Sequence, residues 1–219
     1  MKHRLDSTVG LSESKRPRPP IDARSASALR RSANTRSRLL DAAIRIYSGQ
    51  ATHQLSFVSL AREARVSNGT VYNYFINKDQ LLEEACDVLM ERFNAFSGSA
   101  YSDVTSGAAR LAKMQRWFID QAYRHHAWTR AVSVLLVDTP AIREPIAEQF
   151  RHHLRLGKRQ GGLDYHSESM AVELCISSTC AGMRLMADRA FSAEVVDHYV
   201  EMTLRALGVD VRDITAPNR

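Results

Sequence analysis

The sequence predicts an all-α chain, with a small N-terminal three-helix helix-turn-helix unit ahead of a larger helical domain. Three observations predict it. Residues 55–81 read as a helix, a tight turn, a very short helix and the start of a long one, each opened by a good capping residue. From about residue 79 onward, apolar residues recur at helical spacing and no stretch shows strand alternation. The surplus positive charge is confined to the first part of the chain, which is otherwise too polar to form a core.

That first part is expected to be a basic arm over residues 1–32. Residues 1–38 carry ten Lys or Arg (Lys2, Arg4, Lys15, Arg16, Arg18, Arg24, Arg30, Arg31, Arg36, Arg38) against Asp6, Glu13 and Asp22. The remainder holds twenty basic and twenty-one acidic residues, so the whole net charge of +6 resides in this segment. Pro17, Pro19, Pro20 and many serines accompany the charge, and the arm is expected to be disordered in isolation. Beside a nucleic acid it would add salt-dependent phosphate affinity or enter a minor groove; otherwise it is a solubilising tail.

The first helix is expected to open at Asn34-Thr35 and run to Tyr47, with Leu39, Leu40, Ala43, Ile44 and Tyr47 as its packing stripe. A second begins after Ser56, whose Phe57, Leu60, Ala61 and Ala64 lie at i, i+3, i+4 and i+7. Arg65-Val66 makes the turn, and Ser67 caps a helix of barely two turns containing Asn68, Gly69, Thr70, Tyr72, Asn73 and Tyr74. So short and polar a helix buries little, and its residues suit phosphates and base edges. Gly69 lets a backbone approach something closely. Asn77 caps the next helix, with Lys78-Asp79 at its start. Helix, short turn and helix is the arrangement whose second helix enters the major groove.

Over residues 34–82 the chain resembles the TetR family of bacterial one-component regulators. The resemblance rests on Ser56, Leu60, Ala61, Ala64, Val66, Ser67, Gly69, Thr70, Val71, Tyr72, Tyr74, Phe75, Lys78, Asp79 and Leu81, matched without a gap. There are three departures. Arg65 stands where the family has a turn glycine, Phe57 where a smaller valine is usual, and Tyr74 where a histidine is common. A left-handed backbone at Arg65 would cost about 1 kcal/mol. The resemblance implies a DNA-binding domain over residues 33–80 and a helical effector-binding and dimerisation domain over 81–212, with 213–219 a tail. It also implies that Ser56, Tyr74 and Lys78 meet phosphates and that Ser67 and Gly69 lie close to the DNA. Asn68, Thr70, Tyr72 and Asn73 would reach base edges or sugars, Asn73 being best suited to adenine, and Arg65 would reach DNA from the turn.

The larger domain is read as successive helices. The first runs from Asp79 to Phe96, bearing Leu82, Cys86, Leu89, Phe93 and Phe96 on one side, and is broken by residues 98–102. Others are expected over Asp103–His125, Ala127–Val137, a segment through Phe150 and Leu154, Ser167–Asp188 and Ala193–Leu207. Pro145 is expected to prevent an unbroken helix from Ala141, and Gly157, Gly161 and Gly162 to loosen that helix's end. The last two helices carry more apolar surface than one face needs, with small residues from Cys175 to Gly182, which points to a subunit interface. Candidate interface residues are Ser178, Ala181, Val196, Val200, Thr203 and Leu207. The resemblance implies a homodimer joined through these helices, spacing two recognition helices about 34–36 Å apart on a palindrome. It also implies an effector pocket among the middle helices. Met90, Phe93, Met114, Trp117, Phe118, Phe150 and Met183 are its candidate walls and Arg116, Asp120, Tyr123 and Arg184 its candidate polar anchors. Such walls suit a mostly hydrophobic ligand.

Other chemistry is thin. Cys86, Cys175 and Cys180 sit in apolar helical contexts and read as reduced core residues of a cytoplasmic protein. His125-His126 and His152-His153 are adjacent pairs, not the i, i+4 pairs that hold a metal, and no metal or cofactor is expected. No P-loop, dinucleotide turn or nucleophile elbow is present, so no enzymatic activity is expected. No apolar run suggests a membrane span or signal peptide. The expectation is a homodimeric regulator of transcription that binds double-stranded DNA, a repressor released from a palindromic operator by a small hydrophobic effector. The alternatives are a regulator controlled by a protein partner, and an all-helical ligand-binding protein or enzyme with a vestigial helix-turn-helix.

Overall fold

The computed structural model describes residues 23–49, 55–187 and 191–209. All regular structure among them is helical: α1 (Ala23–Ser48), α2 (Phe57–Ala64), α3 (Asn68–Tyr72), α4 (Lys78–Ser99), α5 (Gly107–Arg124), α6 (His126–Asp138), α7 (Pro140–Arg159), α8 (Glu168–Ala187) and α9 (Ala193–Ala206). The chain divides into two units, residues 1–35 and 36–219. In the first, α1 starts at Ala23 and not at Asn34, so residues 23–32 of the expected arm are helical. Ala, Leu and Arg are good helix formers, and local bonds assist: Arg31 donates to Ser27 Oγ at 2.8 Å, and Thr35 Oγ1 donates to the Arg31 carbonyl at 3.0 Å. The expected disorder of residues 1–22 and the tail 213–219 lie outside the described residues, as does the expected end of α8 at Asp188.

Within the second unit, the stripe of Leu39, Leu40, Ala43 and Tyr47 is buried as expected, with Ile44 half-buried. It shares a core with Phe57, Leu60, Ala61 and Ala64 of α2, with Val71 and Phe75, and with Leu81 and Ala85 of α4. α4 then continues into the larger domain, where Cys86, Leu89, Met90 and Phe93 are buried. The Trp128 indole of α6 donates to the Leu89 carbonyl at 2.8 Å, fixing α6 against the middle of α4.

In the larger domain α5 packs against α6, α7, α8 and α9. Its buried side includes Leu111, Met114, Phe118 and Ala122, the predicted stripe. α5 starts at Gly107 and not at Asp103. Ser106 caps it, and Arg110 turns back to hold the Val104 carbonyl at 2.6 Å, which keeps the preceding segment out of the helix.

Two expectations for α7 are corrected. The helix runs unbroken through Pro145. Pro140 already occupies its first turn, and Pro145 sits so near the N-terminus that only the bond to the Ala141 carbonyl is lost. Ile142, Ile146, Ala147 and Phe150, all buried, hold the segment in place. Gly157 does not loosen the helix but lies buried inside it, facing Gly107 of α5. A Cβ on Gly107 would fall 2.5 Å from Gly157 Cα and 2.6 Å from the His153 carbonyl oxygen, so the two backbones touch.

α8 is the one described helix long and apolar enough to cross a membrane, yet 56% of its apolar window is buried inside the chain. Gly182 lets the Tyr199 ring of α9 close onto it, and the Tyr199 hydroxyl donates to the Ser178 carbonyl at 2.5 Å. Cys86, Cys175 and Cys180 are buried free thiols. Burial pushes Cys175 up to about 12 and Cys86 and Cys180 up to about 11, which keeps them protonated.

Candidate nucleic-acid interface

The interface is assembled by caps. Ser56 and Ser59 form a reciprocal box at the start of α2. The Ser56 hydroxyl accepts from the Ser59 N–H at 3.0 Å, and the Ser59 hydroxyl accepts from the Ser56 N–H at 2.9 Å. Arg65 ends α2 in the left-handed region at φ 55° and ψ 49°, the one described non-glycine residue with positive φ. Its N–H donates to the Arg62 carbonyl at 3.2 Å and that of Val66 to the Ala61 carbonyl at 3.0 Å, the pairing of a Schellman turn. Arg38 of α1 covers the remaining Ala64 carbonyl at 2.8 Å. The departure at Arg65 is therefore accommodated in the glycine geometry itself, with its exposed side chain turned outward.

Ser67 then caps α3, accepting from the Thr70 N–H at 3.1 Å and bonding the Thr70 hydroxyl at 2.7 Å. α3 anchors itself through Val71 alone, with Phe75 buried just beyond it. Asn68, Gly69, Tyr72 and Asn73 are all exposed, and the two asparagine amides have no hydrogen-bond partner among the described residues. A Cβ at Gly69 would meet only the Ser67 hydroxyl, at an unstrained 3.9 Å. The fold does not demand a glycine there. Tyr72 is 59% exposed, and its ring stands edge-on to Phe57 at 4.9 Å. Phe57 thus does more than shift packing: it is the surface that orients Tyr72.

Asn77 accepts from the Gln80 N–H at 2.8 Å to start α4, and Gln80 Oε1 accepts from the Ile76 N–H at 2.9 Å. Lys78 is exposed at this helix N-terminus, where free N–H groups and the helix dipole favour an anion. Tyr74 is half-buried, and its carbonyl accepts from Arg36 at 3.4 Å. Arg36 also pairs with Glu84, its Nε lying 2.8 Å from Oε2, and stacks over the Phe75 ring at 5.0 Å. One guanidinium therefore ties α1, the end of α3 and α4 together. Ile76, 86% exposed beside this surface, was not among the predicted residues. Its place in the turn between two capped helices was the signal available.

The other predicted sites fare differently. Met90, Phe93, Met114, Phe118, Phe150 and Met183 are buried, and with half-buried Trp117 they are filled core. Phe93 and Phe118 stack at 5.5 Å, and Trp117 meets Phe118 at 4.9 Å and Trp128 at 5.8 Å. None of the seven lines either of the two larger cavities described. Three of the four polar anchors, Arg116, Asp120 and Tyr123, instead surround a cavity of about 380 Å³ between α5, α8 and α9, while Arg184 borders another of about 420 Å³ beside α6. Val200, Thr203 and Leu207 are buried within the chain and cannot form a subunit interface, because α5 and α8 already cover that side of α9. Ser178 is half-buried beneath Gln115, and Val196 lines the smaller cavity. Ala181 is exposed, on a face with Met170, Leu174 and Leu185. Among the described residues, no three potential metal ligands cluster. His153 is an unanticipated feature: it is 1% exposed with neither ring nitrogen hydrogen-bonded, edge-on to Tyr101 at 4.4 Å. Burial, helped by His152 and Arg110, pushes it down to about 4.

A short, outward-facing helix on a capped scaffold defines a helix-turn-helix protein. Residues 39–85 match the profile of the bacterial regulatory proteins of the tetR family. An uncharacterised helix-turn-helix transcriptional regulator of Haemophilus influenzae is 40% identical over 57 residues, which are 26% of this chain and 30% of that protein. The match thus spans under a third of the relative's length. Solved structures extend the likeness in fold. The complex of RolR with resorcinol superposes on 87% of this chain and 98% of its own, with 18% identity and a TM-score of 0.58. A TetR-family regulator from Haemophilus influenzae covers 80% and 97%, with 20% identity and a TM-score of 0.60. One from Marinobacter aquaeolei covers 82% and 98%, with 16% identity and a TM-score of 0.65. The likeness to the tetR family is thus one of sequence over residues 39–85 and of fold over the rest of the chain.

Proposed function

We propose that this chain is a homodimeric repressor, acting in the cytoplasm, that binds a palindromic operator and is released from it by a small, mostly hydrophobic effector. The observation that carries the reading is the outward face of α3. Asn68, Tyr72 and Asn73 are exposed there, and Gly69 leaves a gap that no protein atom requires. Asn73 and Asn68 suit base edges, Tyr72 and Ile76 suit sugars and thymine methyl groups, and Ser56, Arg65, Ser67, Thr70, Tyr74 and Lys78 suit phosphates.

Dimerisation is supported by what the single chain leaves uncovered. Met170 (68% exposed), Leu174, Ala181 and Leu185 recur along one face of α8, and Val195 and Met202 (70% exposed) along one face of α9. Two such faces related by a two-fold axis make a four-helix interface. Effector control is supported by RolR, a fold relative whose structure contains resorcinol.

The test is selection of bound duplexes from a random pool, with the Tyr72→Ala/Lys78→Ala protein as control. An enriched inverted repeat that the double variant fails to select is the expected result. Equal enrichment by both proteins would refute the assignment of α3 as the reading helix.

A further inference from the structure

We propose that the effector site is the cavity between α5, the end of α8 and the start of α9, and that it takes an aromatic carboxylate. The proposal rests on the effector-released reading above and departs from the aromatic centre where the sequence places the pocket. That centre is occupied by its own side chains, with rings in mutual contact from Phe93 to Trp128. The α5/α8/α9 cavity holds about 380 Å³, within the range of small-molecule sites.

Its chemistry is divided. Ile119 and Met186, both buried, form an apolar floor with half-buried Phe191 and Val196. Arg116, Asp120, Tyr123 and Asp197 surround the mouth. Arg116 of α5 donates through Nε to Asp197 of α9 at 2.6 Å, a latch across the opening. The two terminal nitrogens of Arg116 have no partner among the described residues, which leaves N–H donors for an acidic head group. Tyr123 lines the same cavity. An amine head would instead need Asp120 or Asp197, and both already accept from an arginine, Asp120 from Arg124 at 2.9 Å. The flat apolar body would lie on Ile119, Phe191 and Val196, and flexible Met186 would adjust to its outline.

The position explains how such a ligand would be felt. Ala193, Val196 and Asp197 line the cavity from one side of α9, whereas Val195 and Met202 project from the other side, which is exposed in the single chain. A carboxylate that competes with Asp197 for Arg116 loosens the latch. A ring inserted behind Val196 then shifts the first turns of α9 away from α5. The displaced helix is the one that carries the proposed subunit interface. Release of DNA requires that the ligand bind the displaced arrangement more tightly, and operator DNA must weaken ligand binding by the same factor.

The test uses the full-length protein, 2-naphthoate as probe and 2-naphthylmethylamine as its cationic counterpart, read by calorimetric titration and by operator anisotropy on the selected duplex. Ala193→Trp places an indole in the mouth from an exposed position, and Arg116→Gln removes the positive charge and the guanidinium fork without touching the floor. The expected result is that 2-naphthoate binds and the amine does not. Arg116→Gln should weaken binding about tenfold or more. Ala193→Trp should abolish it, and Arg116→Gln, which also opens the latch to Asp197, should by itself weaken operator affinity. Binding of 2-naphthoate unchanged in both variants, or no binding of either probe, overturns the site. Binding lost in Ala193→Trp but without any effect on the operator leaves the site standing and refutes effector release. Release that persists in both variants refutes the site and leaves effector release standing.

Discussion

Arg65 is held at φ 55°, where a side chain crowds the backbone and glycine does not. Left-handed geometry costs a non-glycine residue about 1–2 kcal/mol. Arg65→Gly removes that cost but gives the unfolded chain more freedom, worth about 0.4–1 kcal/mol in the opposite direction. The balance is a stabilisation of about 0.5 kcal/mol. Arg65→Ala supplies the control: it deletes the same guanidinium and keeps a Cβ in the left-handed turn. The glycine variant should therefore exceed the alanine variant by about 0.5 kcal/mol in urea denaturation, with unchanged m-value. For a chain of this length that is about 1–2 °C in melting temperature. On DNA the two should behave alike, because both lose one cation. Affinity should fall uniformly across sequences, and the slope of log K against log salt should drop by about one. An alanine variant as stable as the glycine variant would falsify the strain argument. An unchanged salt slope in both would remove Arg65 from the phosphate contacts.

Two further expectations follow from buried features. His153 is held neutral, its value brought from 6.5 to about 4, so the unfolded state binds the extra proton first as pH falls. Stability should be unaffected above pH 6.5, fall between pH 6.5 and about 4, and level off below, with a slope approaching about 1.4 kcal/mol per pH unit and a total of about 3 kcal/mol at most. His153→Leu should flatten that segment of the urea-stability profile, and a profile identical to wild type would show that another group is responsible. Gly107→Ala would drive its Cβ to 2.6 Å from the His153 carbonyl oxygen, a backbone atom that cannot swing aside. It should cost about 3 kcal/mol or more, whereas Gly157→Ala meets mainly the Leu163 side chain, which can move, and should cost about 1 kcal/mol. Equal losses in thermal denaturation would mean that the two helices separate to admit a methyl group.

What the sequence revealed and what it concealed have physical reasons. The starts of α2, α3 and α4 were legible because Ser56, Ser67 and Asn77 are short-range caps whose partners lie three residues away. The buried set of α2 was legible because an amphipathic helix fixes its own inner face. The course of α7 was not, because whether Pro145 breaks a helix depends on how near the N-terminus it falls and on the burial of Ile142 and Phe150. Gly157 looked like a loosened end because glycine is ambiguous until the partner at Gly107 is known. The stripe Val200, Thr203 and Leu207 was correctly read as apolar and wrongly assigned outward, since periodicity finds a face without saying which neighbour covers it. For the same reason Met and aromatic residues at helical spacing suggested a pocket where rings fill the space. Arg116, Asp120 and Tyr123 are expected as polar anchors of a pocket among the middle helices, and the crossing of α5 with α9 instead brings them to the rim of a different cavity.

The guanidinium of Arg36 has a consequence for how a signal travels. It bonds the Tyr74 carbonyl, pairs with Glu84 and stacks on Phe75. The end of the reading helix and the first turns of α4 are therefore registered to a common point. Neither can drift by a fraction of a turn while the other stays, because an intermediate setting would break all three contacts together. Whatever force arrives along α4, the reading surface should respond as a unit, present or withdrawn. Were an effector to act along α4, this one side chain would transmit its movement to the turn after α3, and the contacts of Arg36 would have to be remade for the two elements to move apart.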